Sequence, residues 1–341
     1  MQRTTRQTTL PRGSARRRRP GRALLAGALG LSLYAAADDA AAAASVDKSL
    51  CVFDPGGESG DIYAKMEKYQ ASAVQWGVNF TLRAYTNETV AAADFRNKKC
   101  DAVLLTGITG KEFNPKTYTL EAMGLFRSYD DLKKAIGKLA NPSYDFLNKA
   151  EAGGVKYETA GVYPGGAVYL YLRDRAKADL SALAGQQIAT IDNDAAANFM
   201  VDKIGAISKL ATIATFASMF NNGSVDACYA PATAYGPLEL RRGLGKGGGV
   251  VRFPLAQLTF QVFVRPDEFP EGFTQSSRTF VADNFGAMRR VIDAEEAKTT
   301  PWIDISADDA AKYNQMLADV RAVLRDRKVY DKATLTLFDK K

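Results

Sequence analysis

The sequence predicts an α/β protein of two lobes with a ligand cleft between them, on three observations. First, Phe95 to Gly107 and Phe220 to Ala232 echo each other, with Phe95/Phe220, Asn97/Asn222, Asp101/Asp226 and Ala102/Ala227 in register without a gap. Each copy reads as a helix ending near the Phe, a polar turn, and a short apolar strand that stops at small residues. Second, the stretch from Leu50 to Leu105 alternates strand and helix as βαβαβ, which favours a parallel sheet covered on both faces. Third, 341 residues suit two lobes of ordinary domain size plus an extension. Paired lobes of this kind open a crevice at the carboxyl ends of their parallel strands, where ligands bind.

The extension comes first. Arg12, Arg16 to Arg19 and Arg22 precede the apolar run Ala23 to Ala37, and small residues fill Ala40 to Ala44, the pattern of a secretory signal peptide cleaved after Ala43 or Ala44. The apolar run is too short to span a bilayer, and nothing later is longer. The expected home of the mature chain is therefore the periplasm. The apparent basicity belongs to the same segment. The first 45 residues hold 8 Arg and 2 Asp, leaving 37 basic against 36 acidic residues, a net charge of about +1. That balance offers nothing to a phosphate backbone, and nucleic acid is excluded as a partner.

After the signal, a strand Leu50 to Phe53 runs into the glycine-rich loop Asp54 to Asp61. A helix to about Gln75, a strand Val78 to Tyr85, a helix from Glu88 and the Ala102 strand follow. Residues 128–152 read as helices. Strands Lys156 to Tyr163 and Ala167 to Arg173 flank Pro164, Gly165 and Gly166, where the chain is expected to cross to the second lobe. There, Asp179 starts a short helix, Gln186 to Ile191 is a strand, and Asp192 or Asp194 caps a helix Ala195 to Ile204. The echo segment completes that lobe. Gln257 to Arg265 alternates as a strand and carries the chain back, and an amphipathic helix of about Ala307 to Arg325 is expected to pack across the lobes. The expected division is 1–45 signal peptide, 46–165 with 258–300 as lobe I, and 166–257 with 301–341 as lobe II. Hinges fall near Tyr163 to Ala167 and Gln257 to Arg265.

Cys51, Cys100 and Cys228 allow one pair in an oxidising compartment. If the Cys51 and Cys100 strands are parallel neighbours, their thiols sit at one sheet end within disulfide reach. The chain has no histidine, which removes Ser-His and Cys-His nucleophiles and the usual zinc sites. No cofactor, no metal and no enzymatic turnover are expected.

The residues placed to meet a ligand follow from strand ends. Glu58 and Asp61 lie in the loop that opens the first helix, where they either cap the helix dipole or face the cleft. Thr106 ends the Ala102 strand. Tyr169 lies on the crossing strand, and Asp192 and Asp194 follow the Gln186 strand. Tyr229 lies on the second echo strand and Tyr235 follows it. Tyrosine faces and carboxylates suit sugars, amines and zwitterions. Arg265, with Arg83 and Arg173, sits at a strand end and has the fork to hold a carboxylate.

Asp179 to Ile188 and Phe220 to Pro231 resemble the second-lobe motifs of TRAP-type periplasmic solute-binding proteins. The chain is most similar to a branch of solute-binding proteins some of whose members carry an efflux-pump-type label. The resemblance covers most of residues 48–330. It implies a type II periplasmic-binding-protein fold that closes on a small polar solute and delivers it, as a monomer, to integral membrane transporter subunits. The family's ligand-binding arginine corresponds to Ala189 here, and the polar pair before the motif's proline is Tyr229 and Ala230. A carboxylate cannot then be held in the usual bidentate way, so the solute expected is neutral, zwitterionic or cationic, met by Asp192 and Asp194. An envelope accessory role with a degraded cleft is the second reading, and an enzyme on this scaffold the third.

Overall fold

In the computed structural model, residues 45–339 are described; the signal peptide expected from the sequence, with its cleavage after Ala43 or Ala44, lies outside them. Eleven strands form one sheet: β1 (Val46–Phe53), β2 (Val78–Tyr85), β3 (Ala102–Thr106), β4 (Lys149–Ala152), β5 (Val155–Leu172), β6 (Gln187–Ile191), β7 (Ile207–Ala211), β8 (Ala227–Pro231), β9 (Gly249–Val251), β10 (Ala256–Val264) and β11 (Trp302–Ile303). The main path runs β2-β1-β3-β10-β5-β8-β6-β7. The outer trios, β2-β1-β3 and β8-β6-β7, are parallel within themselves, while β10 and β5 run antiparallel to their neighbours between them.

The sequence echo is an echo of structure. Helices Glu88–Arg96 and Phe216–Asn221 end on Phe95 and Phe220, both fully buried. Lys98 and Gly223, in register, both take positive φ, 59° and 83°, to turn the chain out of the helix. Asp101 and Asp226 then do the same task. Asp101 Oδ2 accepts from the N–H of Ser49 on β1, and Asp226 Oδ2 from the N–H of Gln187 on β6, at 2.7 and 2.8 Å. Each carboxylate ties the start of its strand to the neighbouring parallel strand at the residue just before their pairing begins, Ser49 within β1 and Gln187 at the head of β6, through a backbone N–H.

The crossing is one long strand. β5 runs unbroken through Pro164 to Gly166, and the break appears as a register shift against β10 between Leu258 and Thr259. Gly166, at φ 114°, supplies a conformation closed to other residues. On one side of this point Tyr157, Ala160 and Tyr163 pack with β1, β3 and Phe260. On the other, Ala167 to Leu172 pack with β6 and β8. Because β5 threads both cores, its middle is a natural place to bend.

Two expectations are corrected. Residues 149–152 form a strand rather than helix, since Gly153 and Gly154 at positive φ close a hairpin onto β5. The helix Ala307–Asp326 does not bridge two cores: Tyr313, Met316, Leu317, Val320 and Leu324 all bury into the β6-β8 cluster. Tyr118, Ala122 and Met123 pack into the same cluster. Among the described residues no helix is long and apolar enough to cross a membrane.

Candidate functional site

A cavity of about 300 Å³ lies where the carboxyl ends of β1, β3 and β8 converge over the β5-β10 crossing. Phe53 and Thr106 come from the first trio, Tyr229 to Pro231 from β8, Val168 and Leu258 from the crossing strands, and Met288 from the helix Phe285–Lys298. The wall is mainly hydrocarbon, and among the described residues no Lys or Arg lines it.

The lip begins with Asp54. Its Oδ1 accepts from the N–H of Gly56 at 2.7 Å and its Oδ2 from the N–H groups of Ile62 and Tyr63, each at 2.9 Å. The carboxylate therefore wraps the loop over the N-terminus of the helix Asp61–Ala73, where helix N–H groups have no other partner. Gly60 is required there, because a Cβ would come within 2.0 Å of Asp54 Oδ2. The floor is held by two buried acids. Glu88 accepts from Thr106 N–H and, at 2.9 Å, from Thr109 Oγ1. Glu121 Oε1 accepts from Gly107 N–H, Thr259 N–H and Thr259 Oγ1 at 3.0, 2.7 and 2.6 Å. Burial raises these carboxyls to about 7 and about 8, against the opposing pull of those hydrogen bonds.

Of the residues singled out by sequence, Asp61, Thr106 and Tyr229 line the cavity. Asp194 borders a small adjoining void with Tyr118, Glu121 and Tyr229. Its carboxylate is already occupied: Oδ1 caps the helix Ala195–Lys203 through Ala196 and Ala197 N–H, and Oδ2 accepts from Tyr229. Burial pushes this carboxyl up and pushes the Tyr229 hydroxyl up as well. Tyr229 thus offers the cavity its ring while its hydroxyl is turned away.

The others stand elsewhere. Glu58 is exposed on a short turn, and Asp192 is exposed beside Asn193; neither lines the cavity. Tyr169 follows Val168, which lines the cavity, so strand alternation sends it to the opposite face, where its hydroxyl donates to Glu296 at 3.0 Å. Tyr235 lies a turn beyond β8 and donates to the Thr300 carbonyl at 2.7 Å. Arg265 is at the wrong end of the sheet. β10 runs antiparallel to β3, so its last residues lie at the amino ends of the parallel strands. There the guanidinium is buried, donating to the carbonyls of Phe95 and Cys100 at 3.0 Å each and to Glu268. Arg83 and Arg173 likewise serve backbone carbonyls. Ala189 is buried in the second core.

Sequence reasoning missed Glu295, Ile108, Phe216 and Met288, all cavity-lining. Glu295 sits in a charged helical run that reads as a solvated face, and no local signal marks it. It also missed a contact across the cleft mouth, where Lys111 Nζ donates to the Asn193 carbonyl. Burial lowers the Lys111 ammonium, while Asp194 and Asp192 pull it back up.

Cys51 is on β1 and Cys100 lies two residues before the first residue of β3; their Cα atoms are 6.0 Å apart with the sulfurs bonded, and Cys228 is free and buried.

Comparison with known proteins agrees with this architecture. The chain is 34% identical over 291 residues to "Probable solute-binding protein AdeT1" of Acinetobacter baumannii, covering 85% of this chain and 94% of the relative. The fold is shared with the periplasmic ectoine-binding protein of the TeaABC TRAP transporter of Halomonas elongata, at TM-score 0.68 and 12% identity over 86% of this chain and 97% of that one. It is shared equally with a Sulfitobacter TRAP periplasmic solute-binding protein with bound β-D-galacturonate, at TM-score 0.68 and 11% identity over 86% and 99%. The family described as solute-binding protein AdeT 1/2 matches residues 70–341, and the chain belongs to that family of solute-binding proteins.

Proposed function

We propose that the protein is exported to the periplasm, works there as a monomer, captures a small solute between two lobes and presents it to integral membrane transporter subunits, without covalent chemistry. The observation that carries this reading is the cavity at the paired strand ends, with β5 and β10 passing beneath it as the hinge. In this reading lobe I comprises residues 46–165 and 258–300, and lobe II the remainder of the mature chain. Closure brings Tyr229 and Phe216 toward Phe53 and Thr106. The apolar wall favours a solute with a hydrocarbon body over the uniformly polar one that sequence suggested. An intact cavity beside Ala230 supports capture over an accessory role with a degraded cleft.

The test is native mass spectrometry of the exported protein, followed by thermal unfolding of cargo-stripped protein against a chemically diverse solute panel. Ligand at 100 times its Kd raises stability by about 2.7 kcal/mol. A specific solute that also contracts the molecule in small-angle scattering is expected. Folded protein with neither cargo nor any stabilising solute would overturn the proposal.

A further inference from the structure

Glu295 is the least expected residue in the cavity. It is 7% exposed, it lines the wall, and its Oε2 has no hydrogen-bond partner. Its Oε1 accepts from Lys298 Nζ at 2.5 Å. Lys298 is well exposed on the last turn of the same helix, so it answers one oxygen from the solvent side and leaves the other. An unpaired buried carboxylate oxygen is costly, and the structure holds it only where something can complete it.

The surroundings say what that is. The other wall carboxylates are Asp54, whose oxygens are filled by the three backbone N–H groups described above, and Asp61 at the lip. An anionic solute would face three carboxylates and no lining cation. A neutral solute could offer Oε2 only a neutral donor, the weaker of the two kinds of hydrogen bond to a carboxylate. An ammonium or amidinium meets Oε2 with a charge-assisted hydrogen bond, and its hydrocarbon body then lies against Phe216, Phe260, Leu258 and Met288.

Resting on the solute-binding reading, we propose that the cleft selects amphiphilic monocations, an amine head at Glu295 on an aryl or alkyl body. Lys298 acts as a competitor for the same carboxylate.

The test measures calorimetric affinity for three ligands of one shape: 4-phenylbutylamine, 4-phenylbutanol and 4-phenylbutyrate. The amine is expected to bind at least about tenfold more tightly than either isostere. Glu295→Gln should lose about tenfold for the amine and little for the alcohol. Lys298→Ala, compared at a temperature where denaturant unfolding shows it folded, should tighten the amine severalfold, an effect that a merely structural Glu295 would not produce. Equal or tighter binding of alcohol or acid would overturn the cation inference while leaving solute binding standing. So would amine affinity indifferent to both substitutions. If none of the three binds to folded protein, the cation inference fails, and the solute panel above decides the broader reading separately.

Discussion

The Tyr229 hydroxyl donates to Asp194 Oδ2 at 3.0 Å and accepts from the N–H of Ile191 at 3.1 Å, so one side chain joins the ends of β8 and β6 to the cap of the next helix. Both residues are buried, and the Tyr229 proton and both Asp194 oxygens are engaged within the protein. Asp194→Ala removes a cap and strands the hydroxyl, and should cost about 2 kcal/mol. Tyr229→Phe should cost about 1–3 kcal/mol by leaving a buried carboxylate one donor short. Denaturant unfolding checks both. Asp194 acting directly on the solute would instead appear as lost affinity at unchanged stability.

Stability should fall as pH rises. Glu121 and Glu88 have carboxyls raised to about 8 and about 7 by burial, above their unfolded values. The folded state therefore holds more protons than the unfolded state between about pH 4.5 and 8. Their contribution is full below that window and is lost through it, by up to about 1.4 kcal/mol per pH unit for each group. Melting temperature measured from pH 5 to 9 should decline, and Glu121→Gln, which keeps the Oε1 acceptor for Gly107 and Thr259, should flatten the decline. A flat wild-type profile would contradict this.

The exported protein should carry Cys51 and Cys100 as a disulfide. Their separation of 49 residues corresponds to about 4 kcal/mol in the chain-entropy account. Mass spectrometry of alkylated, unreduced protein should find one reactive thiol after denaturation, Cys228, and none before, because Cys228 is buried. Replacing both paired cysteines by alanine should lower stability by a comparable amount without altering solute affinity.

Lys111 reaches across the cleft mouth to the Asn193 carbonyl. Lys111→Ala removes this closing contact, and with it about 1 kcal/mol of preference for the closed form, a loss of about fivefold in affinity. Scattering of the liganded variant should show a larger mean radius than wild type. Unchanged affinity and radius would mean that the contact does not hold the lobes.

The α/β class, the repeated helix-turn-strand unit and the placing of Thr106 at a strand end and of Tyr229 on the second echo strand were determined by sequence alone. The helix ends at Phe95 and Phe220 and the turns after them are short-range matters, legible in a few neighbouring residues, whereas the partners of Asp101 and Asp226 on β1 and β6 lie far away in the chain. What only the tertiary structure decided is direction and partnership. Arg265 and Thr106 both end apolar strands, yet the antiparallel pairing of β10 with β3 sends one to each end of the sheet. Val168 and Tyr169 are neighbours on β5, and the facing of a two-residue repeat puts only the first in the cavity. Glu295 looks like any solvated helical acid until the fold seals it between helix, cleft and the second lobe at Gly236. Asp194 caps its helix through N–H groups two and three residues on, which local sequence allows, but the Tyr229 donor to its other oxygen and the surroundings of Glu295 are brought by long-range packing, of which local sequence carries no record.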